Sequence, residues 1–271
     1  MSVTQSQPIS APFDAIADRY DGSFTDSKVG RAQRTAVWME LEKAFHAPDR
    51  VLEIGCGTGV DACFLAKRGV RVLACDISER MIGVAAQRVR QTGNEHFVEA
   101  RQLAAENIAR LAGTVFDGAF SNFGVLNCVR DLDAFAAKLS MLLRPGAPLL
   151  LCWMGPGCLW EVFWYLGHAK PGKAFRRLHA HAVTARLAEG STVDVTYPSV
   201  RALAKKFSPF FELRSVKGIG VAVPPSYMEP WANRFSRLFD LAVRAESHLA
   251  SSPGIRLLGD HVLAQFERRA D

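Results

Sequence analysis

The chain has 271 residues, is 49% hydrophobic and carries a formal charge of +6 at neutral pH. That is enough apolar content to bury one sizeable core, and too much for disorder beyond the ends. It holds no charge-free run of about 18 apolar residues and no basic leader before an apolar segment, which argues against stable membrane insertion and predicts a soluble, unexported, cytoplasmic protein. Six cysteines lie mostly in apolar runs without a Cys-x-x-Cys pair or a histidine at ligand spacing, so free thiols in a reducing compartment are expected, with no disulfide and no metal.

In chain order, the first dozen residues, rich in Ser, Gln and Pro, read as a loose tail. A short helix at 13–21 and a longer one at about 31–45 form an N-terminal helical cap over 13–48. The core begins at residue 50. Strands are expected at 51–54, 70–75, 96–99, 116–122 and 148–153, with helices at about 59–67, 79–91 and 132–143 between them. Strand and helix alternating at this spacing predict an α/β fold, a parallel sheet with helices on both faces. After residue 153 the rhythm breaks. Residues 154–198 supply an aromatic helix (159–167), a basic stretch (170–177) and a β-hairpin of runs 181–187 and 192–197 around Glu189-Gly190. A helix at 199–207 and a strand at 211–221 follow. A second insertion, 224–259, carries a helix from 229 to about 250, and a last strand is read at 261–267.

The most informative segment is Val51-Leu52-Glu53-Ile54-Gly55-Cys56-Gly57-Thr58-Gly59, followed by Asp76 at the end of the second strand. A strand that breaks into glycines and continues as a helix cradles a nucleotide, and a carboxylate closing the next strand is placed to hold a ribose. The dinucleotide fingerprint needs its third glycine at the sixth position, where this chain has Val60, and the phosphate loop needs Gly-Lys-Ser/Thr, which is absent.

What remains, an acidic residue, one spacer and Gly-x-Gly-x-Gly, resembles the signature of class I S-adenosylmethionine-dependent methyltransferases. The resemblance implies a three-layer, Rossmann-like seven-stranded sheet whose last strand inserts antiparallel. On that template the whole chain, 1–271, is one methyltransferase domain with its cofactor core at 50–153 and substrate lids at 154–198 and 224–259. By position, Gly55, Cys56, Gly57 and Gly59 would contact the cofactor. Glu53 would lie near its amino group, Asp76 would accept the ribose hydroxyls, and Ile77 with Met81 would sandwich the adenine. The string Phe13-Asp14-x-x-Ala17-x-x-Tyr20-Asp21 resembles the N-terminal helix of ubiquinone- and biotin-pathway methyltransferases, which puts Tyr20 over the cofactor carboxylate. Where many relatives have Gly-Asp-Ala, this chain has Ala104 in place of the Asp, leaving adenine recognition to the Ala105 backbone and Glu106. Asn122 ends the fourth strand, within reach of cofactor or acceptor. The Asn/Asp-Pro-Pro-Tyr motif of nucleic-acid and protein nitrogen methyltransferases is absent there, which argues against amino acceptors.

Methyl transfer needs the nucleophile held about 3 to 3.5 Å from the methyl group in a desolvated site, with a base if the acceptor is neutral. Candidate bases lie in the later segments: His168, His179, His181, Tyr165, Tyr197, Tyr227 and His261. Trp153, Trp160, Trp164 and Tyr227 concentrate aromatic surface where an apolar acceptor would be enclosed. Residues 161–217 hold ten Lys and Arg against four Asp and Glu, so Arg176 or Arg177 could grip an anion. The expected activity is therefore methyl transfer from S-adenosyl-L-methionine, releasing S-adenosyl-L-homocysteine, to oxygen or carbon of a small apolar or aromatic metabolite of secondary or quinone metabolism. Two alternatives stay open: a carboxyl methyltransferase on a free or carrier-bound acid, and a non-catalytic cofactor-binding partner subunit. A nucleic-acid partner is not expected, and aromatic surface in the insertions leaves a homodimer open.

Overall fold

The computed structural model describes residues 12–179, 181–188 and 190–270. Of the dozen residues read as a loose tail, 1–11 lie outside them and Pro12 instead opens a 3₁₀ turn; the Glu189 half of the hairpin turn also lies outside them. Seven strands form one sheet: β1 (Arg50–Ile54), β2 (Arg71–Asp76), β3 (Val98–Gln102), β4 (Gly118–Ser121), β5 (Pro148–Trp153), and, after a separate hairpin of β6 (Val183–Ala188) and β7 (Ser191–Val195), β8 (Phe211–Ile219) and β9 (His261–Arg268). Their order is β3-β2-β1-β4-β5-β9-β8. The first five run parallel, and β9 lies antiparallel between β5 and β8. The carboxyl ends of β1, β2, β4 and β5 therefore meet at one edge, where β9 begins. That edge carries the site.

Both sheet faces are buried because each central strand is apolar on both sides. Leu52, Ile54, Leu73, Cys75, Leu149 and Leu151 join one core cluster with helices Leu132–Ser140 and Val200–Phe207. Val51, Val72, Ala74, Leu150 and Cys152 join the other, with helices Lys28–Ala44, Val60–Ala66 and Glu79–Gln91.

Several elements differ from expectation. β3 starts two residues later than read, and β4 is shorter, since Phe116 makes only an isolated bridge to Leu143. The single helix expected at 229–250 is two, Glu229–Arg234 and Ser236–Leu249, broken at Phe235, whose ψ of 53° leaves the helical region. The short first helix is a succession of 3₁₀, α and π turns: Pro12–Ile16, Ala17–Tyr20 and Asp21–Thr25. Gly30 explains how this coil lies against the following helix. A Cβ there would come within 1.8 Å of the Phe24 carbonyl oxygen, so only glycine lets the segment carrying Tyr20 pack so closely.

Candidate active site

A cavity of about 490 Å³ opens at the carboxyl edge of the sheet. Gly55, Gly57, Asp76, Ile77, Met81, Ala104, Ala105, Asn122 and Tyr20 line it, all named from the sequence. The three glycines divide the work. Gly57, at φ +51, has nothing within 4 Å of a built Cβ, so its backbone faces open space. At Gly55 a Cβ would strike Val125 at 2.1 Å, and at Gly59 it would strike Ala85 at 2.9 Å, with both backbones at positive φ. Those two glycines therefore set the loop against its neighbours, and Gly59 does not line the cavity.

Asp76 Oδ2 accepts a hydrogen bond from the Gly57 amide (2.8 Å) and Oδ1 one from the Ser78 amide (2.9 Å). Burial pushes its carboxyl upward, and the two amides partly oppose that shift. Ile77, 47% exposed, and Met81, buried, flank the opening with Leu103. Met81 belongs to the first turn of a helix capped by Ser78, whose Oγ accepts from the Met81 amide.

The N-terminal coil is fastened over the glycine loop by Asp21, which accepts from Thr58 Oγ1 (2.7 Å) and pairs with Arg88 (2.5 Å). This closure places Tyr20, Arg34 and Phe123 around a smaller recess shared with Gly55, Cys56, Asp61 and Asn122. Asp61, buried in the first turn of Val60–Ala66, accepts from Arg34 Nη1 (2.6 Å), Trp38 Nε1 (2.7 Å) and Asn122 Nδ2 (2.9 Å). Burial works against the Arg34 charge, but Asp61 more than offsets it. Burial also raises the Tyr20 hydroxyl and holds the Cys56 thiol well above its usual range, so both stay protonated. Glu53, at the end of β1, has its carboxyl raised well above the ordinary range by burial first and by Asp61 second.

Three buried polar atoms here have no partner among the described residues: Arg34 Nε, Asn122 Oδ1 and Glu53 Oε2. One charged donor and two acceptors complement the carboxylate and ammonium of an amino acid head group. Asp76, Ile77 and Met81 line the adjoining cavity, so these residues could together hold S-adenosylmethionine, the cofactor that the resemblance implies. Arg34, Asp61 and Phe123 were not singled out from the sequence. Arg34 lies inside a helix about 40 positions before Asp76, and no spacing signals that the two meet at one cavity.

The acceptor side differs more from expectation. Trp153 is fully buried and donates to the Pro198 carbonyl, and Trp160 donates to that of Val221. Trp164 packs against Tyr227 and His168, and Tyr165 against Tyr227. None of these side chains lines the cavity, because the two insertions bury their aromatic residues against one another. The basic stretch is likewise engaged: Arg176 and Arg177 both pair with buried Glu161 (2.5 and 2.8 Å), and Arg177 also pairs with Asp260 (2.8 Å). His168, His179 and His181 are exposed away from the cavity, while Tyr197 lies against Arg177, its hydroxyl raised by burial. Beyond the cofactor residues, the cavity is instead lined by Phe13, Val125, Cys128, Val129, Arg130 and Val193. Burial pushes the Cys128 thiol up to about 11, which leaves it a poor nucleophile.

Residues 52–149 match a family model described as a methyltransferase domain. That match, the strand order and the glycine loop bonded to Asp76 agree with one another, and the chain is similar to class I, S-adenosylmethionine-dependent methyltransferases over this segment. It is 31% identical over 148 residues to the demethylmenaquinone methyltransferase of Thermobifida fusca (strain YX), covering 53% of this chain and 60% of that protein. It is also 31% identical over 143 residues to the tRNA 5-carboxymethoxyuridine methyltransferase of Escherichia coli (strain K12), covering 51% and 54%. The chain thus spans less than two thirds of these curated relatives. An S-adenosylmethionine-dependent methyltransferase structure from Listeria monocytogenes aligns at a TM-score of 0.59 and 19% identity, over 86% of this chain and 96% of that one, a likeness of fold.

Proposed function

We propose that this protein transfers a methyl group from S-adenosyl-L-methionine to oxygen or carbon of a small, largely apolar acceptor. The observation that carries this reading is the pairing of Gly57 and Asp76 on a cavity that shares Tyr20, Gly55 and Asn122 with a smaller recess, where Arg34 Nε and Asn122 Oδ1 are buried without partners among the described residues. Bound there, S-adenosylmethionine supplies an electrophilic methyl group on sulfur. The residues then bind, orient and exclude water. Asp76 and the Gly57 backbone hold the ribose, Arg34 and Tyr20 the carboxylate, and Asn122 and Glu53 the ammonium. Phe123, at φ 54 in the left-handed region, is held over the recess between the rings of Phe24 and His261. Its face shields the reacting centre from solvent.

Apolar side chains of Phe13, Val125, Val129 and Val193 favour an uncharged acceptor, and Arg130 is the one cation among the described lining residues. A carboxyl methyltransferase gripping its anion through the basic stretch has less support, since Arg176 and Arg177 are already paired with acids of this chain. A cytoplasmic setting accords with the six free thiols. The test is methyl transfer from labelled S-adenosylmethionine to three acceptors: a hydroquinone, a fatty acid and transfer RNA. Label on the hydroquinone is expected, and label confined to the acid or the RNA would contradict the proposed acceptor class.

A further inference from the structure

The helix Leu159–Gly167 is apolar on both sides, yet it lies at the surface. Its inner side is committed to the protein through the Trp160 indole, the buried Glu161 carboxylate and the Trp164 ring. Its outer side presents Leu159, Phe163 and Leu166, spaced four and three residues apart and so on one face. Phe163 is 67% exposed. The chain then turns through Pro171–Ala174 into Arg176–Leu178, which adds exposed Phe175 and Leu178, the latter 65% exposed. A surface helix surrounded by apolar residues needs a non-aqueous neighbour on its open side.

The charges around this face choose the neighbour. Between residues 159 and 187 the described acid is Glu161 alone, and it is buried beneath Arg176 and Arg177. Lys170 and Lys173 are exposed and lie, along the chain, between the two groups of apolar side chains, with exposed His168, His179 and His181 in the same segment. Apolar side chains interleaved with cations, with no exposed acid, complement a surface that is greasy and negatively charged. None of the helices among the described residues is long and apolar enough to cross a bilayer, so contact would stop at the headgroup level.

We propose that this face of the first insertion docks the protein on an anionic lipid bilayer. The lysines meet the headgroups, while Phe163, Leu166 and Leu178 enter the boundary with the acyl chains. Docking there would bring a membrane-dissolved acceptor to the lid, but the inference does not depend on the transfer reaction.

The test is co-sedimentation of the whole protein with vesicles of phosphatidylcholine, alone or mixed with phosphatidylglycerol. Binding is expected to the mixed vesicles, about tenfold weaker to phosphatidylcholine alone, and to fall as salt rises. Phe163→Ser combined with Leu178→Ser, and Lys170→Glu combined with Lys173→Glu, should each cut binding by about tenfold or more. Both substitute exposed side chains, and unchanged melting and unchanged S-adenosylhomocysteine affinity would show that fold and cavity survive. No binding to mixed vesicles, or equal binding by wild type and both variants, would overturn the proposal. So would a wild-type dimer in light scattering that the Ser variant dissolves, since the face would then belong to a second copy.

Discussion

Glu53 is a single carboxyl buried at the end of β1, beside Asp61 and Arg34. Its raised pKa means that the folded apoprotein binds this proton more tightly than the unfolded chain does. Its contribution to stability is therefore greatest in acid and is lost as pH rises from the ordinary carboxyl value through the raised one. Glu53→Gln removes that loss. The variant is expected to be more stable than wild type at neutral and alkaline pH, by about 1 kcal/mol, while binding S-adenosylmethionine more weakly. Denaturant melts at several pH values check the first part, and an unchanged pH slope would count against it. Arg34 makes the complementary prediction. Lysine keeps its charge beside Asp61 but removes the Nε donor, so Arg34→Lys should weaken S-adenosylhomocysteine binding by about tenfold. It should leave methylthioadenosine, which lacks the amino acid end, unaffected. Equal losses for both ligands would move Arg34 away from the carboxylate.

At the scale of elements, the loop after β4 has to be held against β5 and the β6–β7 hairpin for the cavity to keep its shape. Asn127 does this. Its side chain donates to the carbonyls of Met154 and Thr196 and accepts from the Met154 amide, and its own carbonyl accepts from the Thr196 amide. Asn127→Ala strands these buried groups and should cost about 2 to 3 kcal/mol, with hydrogen exchange accelerating first at 191–196. Uniform exchange across the molecule would deny it that local role. Gly55→Ala is expected to be worse tolerated than Gly57→Ala. Both have positive φ, but only the former drives a Cβ into Val125.

Across the whole molecule, one buried ionic cluster joins the parts that the cavity depends on. Arg177, from the first insertion, bridges Glu161 and Asp260, and Gln33 of the N-terminal helix reaches Asp260 as well. Burial alone would raise Asp260, but His261 and Arg177 more than offset it and hold the carboxyl below the ordinary range. Its contribution is therefore present at neutral pH and is lost on acidification. Arg177→Met leaves Glu161 with Arg176 alone and Asp260 with only Gln33 and His261, and should cost about 3 kcal/mol in urea melts at neutral pH, with a smaller deficit in acid. A pH-independent deficit would mean that Arg177 acts by packing alone.

This convergence also marks where sequence reading stops. The glycine loop and Asp76 are adjacent through β1 and β2, so periodicity and spacing predict them along with the sheet, while the cofactor roles of the residues around them are what the resemblance implies. Arg34, Asp61 and Phe123 come from three separate elements, and only the folded chain brings them together. The tryptophans of the insertions read as an acceptor wall because aromatic content gives no direction. In the structure, Trp153 of β5 and Trp160 of the first insertion spend their N–H groups on the carbonyls of Pro198 and Val221, and neither lines the cavity.

The central claim is that the crevice between Gly57 and Asp76 takes the adenosyl cofactor. Calorimetry with S-adenosylhomocysteine tests it most directly, on wild type and on Asp76→Ala. The account predicts one site per chain in wild type and a loss of about 2 kcal/mol, or roughly thirtyfold, in the variant, as the ribose loses a buried charged acceptor. Wild type that fails to bind, or a variant that binds as well as wild type, would contradict it.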